Sequence, residues 1–216
     1  HLAQHDEHKG TKVLGLFTHG PGNIFNSQRP VEKLADLDGL KIRVGGGVVN
    51  DVAKSIGAVA LLKPAPQSYE LMAAGVADGV FFPQESIKSF KLVDLIKHAT
   101  LVPGGLYNTS FFLVMNPASF GKLSKEDQDA IMSVSGENFS RISGAGWDNA
   151  DKAGNEAMKA AGVAMITASD DLISEIKSKT NAIEAGWVEE QSARGIDGAA
   201  IMSDLRAEIA KEAGSN

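Results

Sequence analysis

Between Leu40 and Asp51 the chain spells a strand, three consecutive glycines and the opening turn of a helix, and this succession restricts the fold more than any other stretch. Apolar and polar residues alternate over Leu40-Lys41-Ile42-Arg43-Val44, the period of a β-strand with one buried face. Gly45, Gly46 and Gly47 then permit a sharp turn and a close approach of backbone N–H groups to a ligand. The helix start beyond them offers unpaired N–H groups and a partial positive charge. Arg43, at the strand end, adds a planar fork of donors that matches a carboxylate or phosphate. Two readings stand side by side here: an anion cradle, or an ordinary strand–helix turn with Arg43 in a surface ion pair.

Around this stretch the pattern predicts strands and helices in turn. Strands are expected at Lys12–Phe17 (a buried one), Val59–Leu62, Val76–Pro83, Ala99–Val102, Ser110–Asn116 and Val163–Thr167. Helical stretches are expected over Gln4–Lys9, Val31–Leu37, Gly47–Ile56, Gln67–Ala74 and Ser86–Ile96. Ser124, with Asp127 as its capping partner, opens one very long helix that runs to a stop at Gly162, bent near Gly144-Ala145-Gly146. Two more follow, over Ser169–Glu190 and Ala199–Ala213. Such alternation implies an α/β layer structure with much parallel pairing. Ligands of these sheets collect beyond the carboxyl ends of the strands, where Arg43, Phe82 and the Thr18–Asn23 loop all fall by this reading.

The chain's chemistry excludes more than it offers. A formal net charge of −6 argues against nucleic acid as a partner, although one focused cationic site can still take a small anion. With no cysteine there is neither a thiolate nucleophile nor a Cys-ligated metal. No apolar run approaches the roughly 20 residues that cross a bilayer, so the chain is not expected to span one. Neither a Gly-x-Ser-x-Gly elbow nor a P-loop occurs, and Gly45-Gly46-Gly47 lacks the spacing of a dinucleotide fingerprint. His1, His5 and His8 have helical spacing, but a solvated end is favoured over a metal site. His19 and Glu85 are the only acid–base candidates, and neither comes with a motif. No catalytic residue, metal or cofactor is therefore expected.

The segment Leu34-Ala35-Asp36-Leu37-Asp38-Gly39-Leu40-Lys41-Ile42-Arg43-Val44 closely resembles the signature of the DctP-type solute-binding proteins of TRAP transporters. Further landmarks follow in the family's order: Ala58–Pro66, then Tyr69-Glu70-Leu71 with Gly75-Val76-Ala77-Asp78-Gly79, then Leu123-Ser124 ahead of the long helix. The similarity runs along nearly the whole chain from Lys12 onward.

The resemblance implies a two-lobe, type II-like periplasmic-binding-protein fold with a long lobe-spanning helix. It divides the chain into a first lobe (2–20 and 108–150), a second lobe (21–107 and 151–191) and a C-terminal helical segment (192–216). It also implies a periplasmic receptor that delivers a small organic acid to the small and large integral membrane subunits of a carrier driven by an ion gradient. The same fold serving as a ligand sensor is the alternative, and a small-acid enzyme a more distant one. The family's carboxylate-binding arginine falls on Arg43, and the ligand-binding set expected with it is Phe82, Asn23, His19, Gly46, Phe81, Gln84 and Asn108. Departures narrow the ligand. Gly45 stands where many members have proline. Asn23 and Phe82 stand where sialate-binding relatives have an arginine and an asparagine, which argues against sialic acid. Phe81, Phe82, Tyr107, Phe111 and Phe112 suit an acid with an aromatic or apolar body, unless these phenylalanines serve as core. Several strand–helix units that precede Lys12 in the family have no counterpart, so the first lobe is expected to be incomplete.

Overall fold

The computed structural model describes residues 8–213 of the chain. The helix expected over Gln4–Lys9 lies almost wholly outside the described residues, as do His1 and His5.

The chain begins with β1 (Lys12–Thr18), β2 (Asn23–Asn26), a 3-10 turn (Leu34–Leu37) and β3 (Lys41–Val44). Helix α1 (Val48–Ser55), β4 (Val59–Leu62), α2 (Ser68–Ala73), β5 (Gly79–Phe82), α3 (Gln84–Ser89) and β6 (His98–Leu101) follow. After them come β7 (Ser110–Met115), α4 (Pro117–Gly121), α5 (Lys125–Ser133), α6 (Glu137–Ala160), β8 (Ala164–Thr167), α7 (Asp170–Ala193) and α8 (Gly198–Ala213).

Six strands form one sheet in the order β4-β3-β5-β2-β6-β8, and β1 pairs with β7 in a separate antiparallel ribbon. Side chains alternate across the larger sheet, as period two requires. Ile24, Ile42, Val44 and Phe81 enter one core with Leu37, Leu172 and Ile176. Phe25, Val80 and Phe82 enter the other with Ile87, Leu92 and Met158. Both faces are thus covered by helices. Helix α6 joins the two sheets. Its Phe139 ring fills the space over Gly15 of the ribbon, and its Met158 is buried in the second core.

The α/β architecture and the long helix shared by both sheets agree with expectation, while four details differ. Strand β2 was not expected, and it lies in the middle of the sheet, antiparallel to β5 and β6. Its two apolar residues, Ile24 and Phe25, are bounded by turn-forming residues that conceal a strand. Parallel pairing is therefore confined to β3/β4, β3/β5 and β6/β8. The single helix expected from Ser124 to Gly162 is two, broken at Gly136, whose φ of 64° no right-handed helix accommodates. Gly144 and Gly146 both lie inside α6. Helix α3 stops at Ser89 instead of Ile96, and Lys91 just beyond takes φ 58°. The strand expected to be buried at Lys12–Phe17 is only half-buried, because the ribbon gives it one neighbour.

Candidate functional site

Strands β3 and β5 run parallel, and β2 runs the opposite way beside β5. The carboxyl ends of β3 and β5 and the amino end of β2 therefore share one rim of the sheet. Arg43, Phe82 and Asn23 stand on it, with Asn23 and Phe82 directly paired.

Arg43 is 3% exposed. Ile42 and Val44 point into the first core, so Arg43 emerges on the opposite face, the one that carries Phe82. The guanidinium carbon lies 4.5 Å from the centroid of the Phe82 ring, a cation–π contact. Phe82 is itself stacked on Phe90 at 5.4 Å. Arg43 Nε donates to the Lys63 carbonyl at 2.9 Å. Its terminal nitrogens have no hydrogen-bond partner among the described residues, yet they are not among the sealed, unpaired polar atoms. The surface ion pair left open by the sequence does not form: Arg43 is buried, and no carboxylate among the described residues lies within ion-pair distance. Burial draws the guanidinium down to about 10, so it remains a cation at neutral pH. The Tyr107 hydroxyl, within electrostatic reach, is pushed well up by its own burial.

A cavity of about 360 Å³ opens in front of this cation, lined by Arg43, Gly45, Gly46, Leu62, Lys63 and Pro64. Gly46 is exposed on its wall, directly before the start of α1. A hydrogen-bonding cation on an aromatic ring, beside a helix start and without its own acid, is suited to binding an anion that brings the missing acceptors.

The other expected residues take varied places. Phe81 is fully buried in the first core, and its carbonyl accepts from the Tyr107 hydroxyl at 3.1 Å. Asn23 is fastened at both ends of its amide: Nδ2 donates to the Pro21 carbonyl and Oδ1 accepts from Val102 N–H, both at 2.8 Å. Gln84 Oε1 accepts from Asn155 Nδ2 at 2.6 Å and lines a separate polar groove along α6. Asn108 Nδ2 donates to the His19 carbonyl at 3.0 Å, which pins the loop after β1. The His19 ring is buried among Tyr107, Phe111 and Trp147. Glu85 Oε2 accepts from Ser89 Oγ at 2.6 Å, and Glu85 shares no hydrogen bond with His19.

Sequence reasoning passed over Asp151. It lies buried on α6 and accepts the Glu85 N–H at 2.8 Å, which ties the long helix to the start of α3. Burial raises its carboxyl above the ordinary value despite that hydrogen bond, and the charge of Glu85 adds to the rise. The signal was present: Asp151, Gly154 and Met158 have the i, i+3, i+7 spacing of a buried helix face, on which an acid is out of place. No group of residues that could hold a metal ion occurs among the described residues.

Comparison with known proteins yields a consistent set. The model of the family described as "DctP: Bacterial extracellular solute-binding protein, family 7" matches residues 1–191. A relative from Comamonas testosteroni, the outer membrane transporter protein TsaT, is 30% identical over 97% of this chain and 62% of its own. A TRAP periplasmic solute-binding protein from Bordetella bronchiseptica, solved with bound (R)- and (S)-mandelate, superposes with a TM-score of 0.89 at 46% identity. The match covers 95% of this chain and 65% of that one. A TRAP solute-binding protein from Rhodoferax ferrireducens, solved with copurified benzoate, gives 0.89 at 31% identity over the same shares. The chain thus spans less than two thirds of the length of these relatives.

Proposed function

This chain belongs to the DctP family, family 7 of the bacterial extracellular solute-binding proteins, and on that premise we propose that it is a periplasmic receptor for small aromatic carboxylates. In this reading Arg43 grips the carboxylate, and the bound acid is handed to the membrane subunits of a TRAP transporter. The observation that carries the proposal is the state of Arg43: buried, stacked on Phe82, facing a cavity and paired with no acid among the described residues. A buried cation without a counter-ion is costly, and a ligand carboxylate in bidentate contact removes that cost while supplying specificity for acids. The mandelate and benzoate held by two similar proteins support an aromatic body on the ligand. The chain would work with membrane partners and not cross the bilayer itself: among the described residues no helix is long and apolar enough to do so. We assign it no catalytic step, since His19 and Glu85 are engaged with Gly20 and with serines rather than with each other.

The test is calorimetric titration with benzoate and mandelate. The protein should bind at least one, and Arg43→Ala should weaken that binding by about a hundredfold, as expected for loss of a charge-assisted pair. Arg43→Lys should recover only part, because an ammonium lacks the fork. Affinity unchanged in Arg43→Ala would remove Arg43 from the site. Failure of every aromatic acid to bind would end the receptor assignment.

A further inference from the structure

His19 lies on the loop that feeds β2, and its geometry supports an inference that rests on the receptor reading above. Although it belongs to a loop, the residue is only 7% exposed. Its ring sits 5.3 Å from Tyr107 and 6.0 Å from both Phe111 and Trp147, centroid to centroid. Nδ1 faces the Gly20 carbonyl oxygen at hydrogen-bond distance. A carbonyl only accepts, so Nδ1 carries the hydrogen, and in the neutral ring Nε2 is left as a pure acceptor. No described group donates to Nε2. Nor is Nε2 sealed away, since among the described residues the buried polar atoms without partners are Asn26 Nδ2, Ser68 Oγ and His98 Nδ1. The result is an acceptor of fixed tautomer, held in place by aromatic rings and still reachable.

Tyr107 connects this acceptor to the carboxylate anchor. Its ring meets His19 edge-on, and its hydroxyl reaches the backbone of Phe81, next in the chain to the Phe82 ring on which Arg43 is stacked. That hydroxyl's hydrogen is already given to the Phe81 carbonyl, so it is not available to a ligand. Close packing holds Tyr107 in position, because a Cβ on Gly22 would fall 2.3 Å from its ring. An aromatic acid gripped by Arg43 would extend along Tyr107 towards His19.

We propose that His19 determines specificity within the carboxylate site: its Nε2 accepts the hydroxyl hydrogen of a hydroxylated aromatic acid. A ligand without that donor leaves the acceptor stripped of water and unpaired, which is the strong form of discrimination available to a binding site.

The test compares 3-hydroxybenzoate with benzoate, and mandelate with phenylacetate, by calorimetry on the wild-type protein and on His19→Phe. The wild type should favour the hydroxylated member of at least one pair by about tenfold. His19→Phe should erase that preference, bringing the two members of the pair to within about twofold of each other. 3-Methoxybenzoate, which keeps the oxygen but lacks the hydrogen, should bind the wild type no better than benzoate where the first pair shows the preference. Equal affinity within both pairs overturns the inference and leaves the receptor reading standing. So does a preference that survives in His19→Phe, or a 3-methoxybenzoate affinity equal to that of a preferred 3-hydroxybenzoate, which needs no variant. Loss of all acids in a folded His19→Phe assigns His19 a structural role and likewise overturns it. A wild type that binds none of these acids overturns the receptor reading itself, and the inference with it.

Discussion

The chain contains the same dipeptide twice, on two strands with opposite fates. Phe81-Phe82 ends β5, where the residues are 0% and 6% exposed. Phe111-Phe112 lies in β7, where they are 37% and 60% exposed. Both segments are equally apolar and equally suited to a strand. The difference is one of neighbours. Strand β5 lies between β3 and β2, in a sheet covered on both faces by helices. Strand β7 has only β1 beside it, and α6 covers the ribbon from one side. Burial is a property of the layers around a strand, and identical residues gain very different stabilisation from it.

The strongest challenge to this contrast is truncation of one residue from each pair. Phe81→Ala should cost about 3–5 kcal/mol through lost burial and the cavity left behind, whereas Phe112→Ala should stay within about 0.5 kcal/mol. Urea unfolding of the two variants decides the matter, and similar costs would break the comparison. A smaller effect should come from glycines in the two regions. A Cβ on Gly79 of β5 would lie 2.3 Å from the Phe25 carbonyl, so Gly79→Ala should destabilise by about 1–3 kcal/mol. A Cβ on Gly144 meets nothing within 4 Å, so Gly144→Ala should stabilise α6 by about 0.5–1 kcal/mol. Thermal melts of both variants test the pair, and a destabilising Gly144→Ala would show that α6 carries a strain not visible in its backbone.

The smallest expected effect concerns Asp151, where the long helix meets the better-packed region. Its carboxyl is raised by burial above the ordinary value of 3.8, so the folded chain holds that proton more tightly than the unfolded one. Its contribution is therefore most favourable below pH 4 and is lost as pH rises through the raised value. Asp151→Asn retains an oxygen for the Glu85 N–H and carries no charge. The wild type should lose stability relative to this variant between pH 4 and neutral pH, as measured by melting both across that range. A wild type that gains on the variant over the same interval would show that the carboxylate is held by more than one N–H.

The candidate site was legible in part. The alternation around Arg43 and the glycines after it placed a cation at a strand end beside a helix start, and the structure has both. The stack of Arg43 on Phe82 was not legible, because it depends on β3 and β5 being adjacent and parallel across an interval of many residues. Nor was the tethering of Asn23, whose partner Val102 is 79 residues away. Strand β2 escaped for a related reason: four residues with two apolar side chains give too little local signal, and only pairing on both sides makes them a strand.

By itself the sequence determined what local forces govern. Period-two strands such as β3 and the Ser124 cap satisfied at Asp127 N–H follow from interactions within a few residues. Tertiary structure alone decided which strands became neighbours and which of two identical phenylalanine pairs was buried. It also broke the long helix at Gly136 and left Arg43 without an acid while setting it on an aromatic ring. These outcomes depend on contacts between segments distant in the chain, whose energies come from layers and partners that no short window of sequence contains.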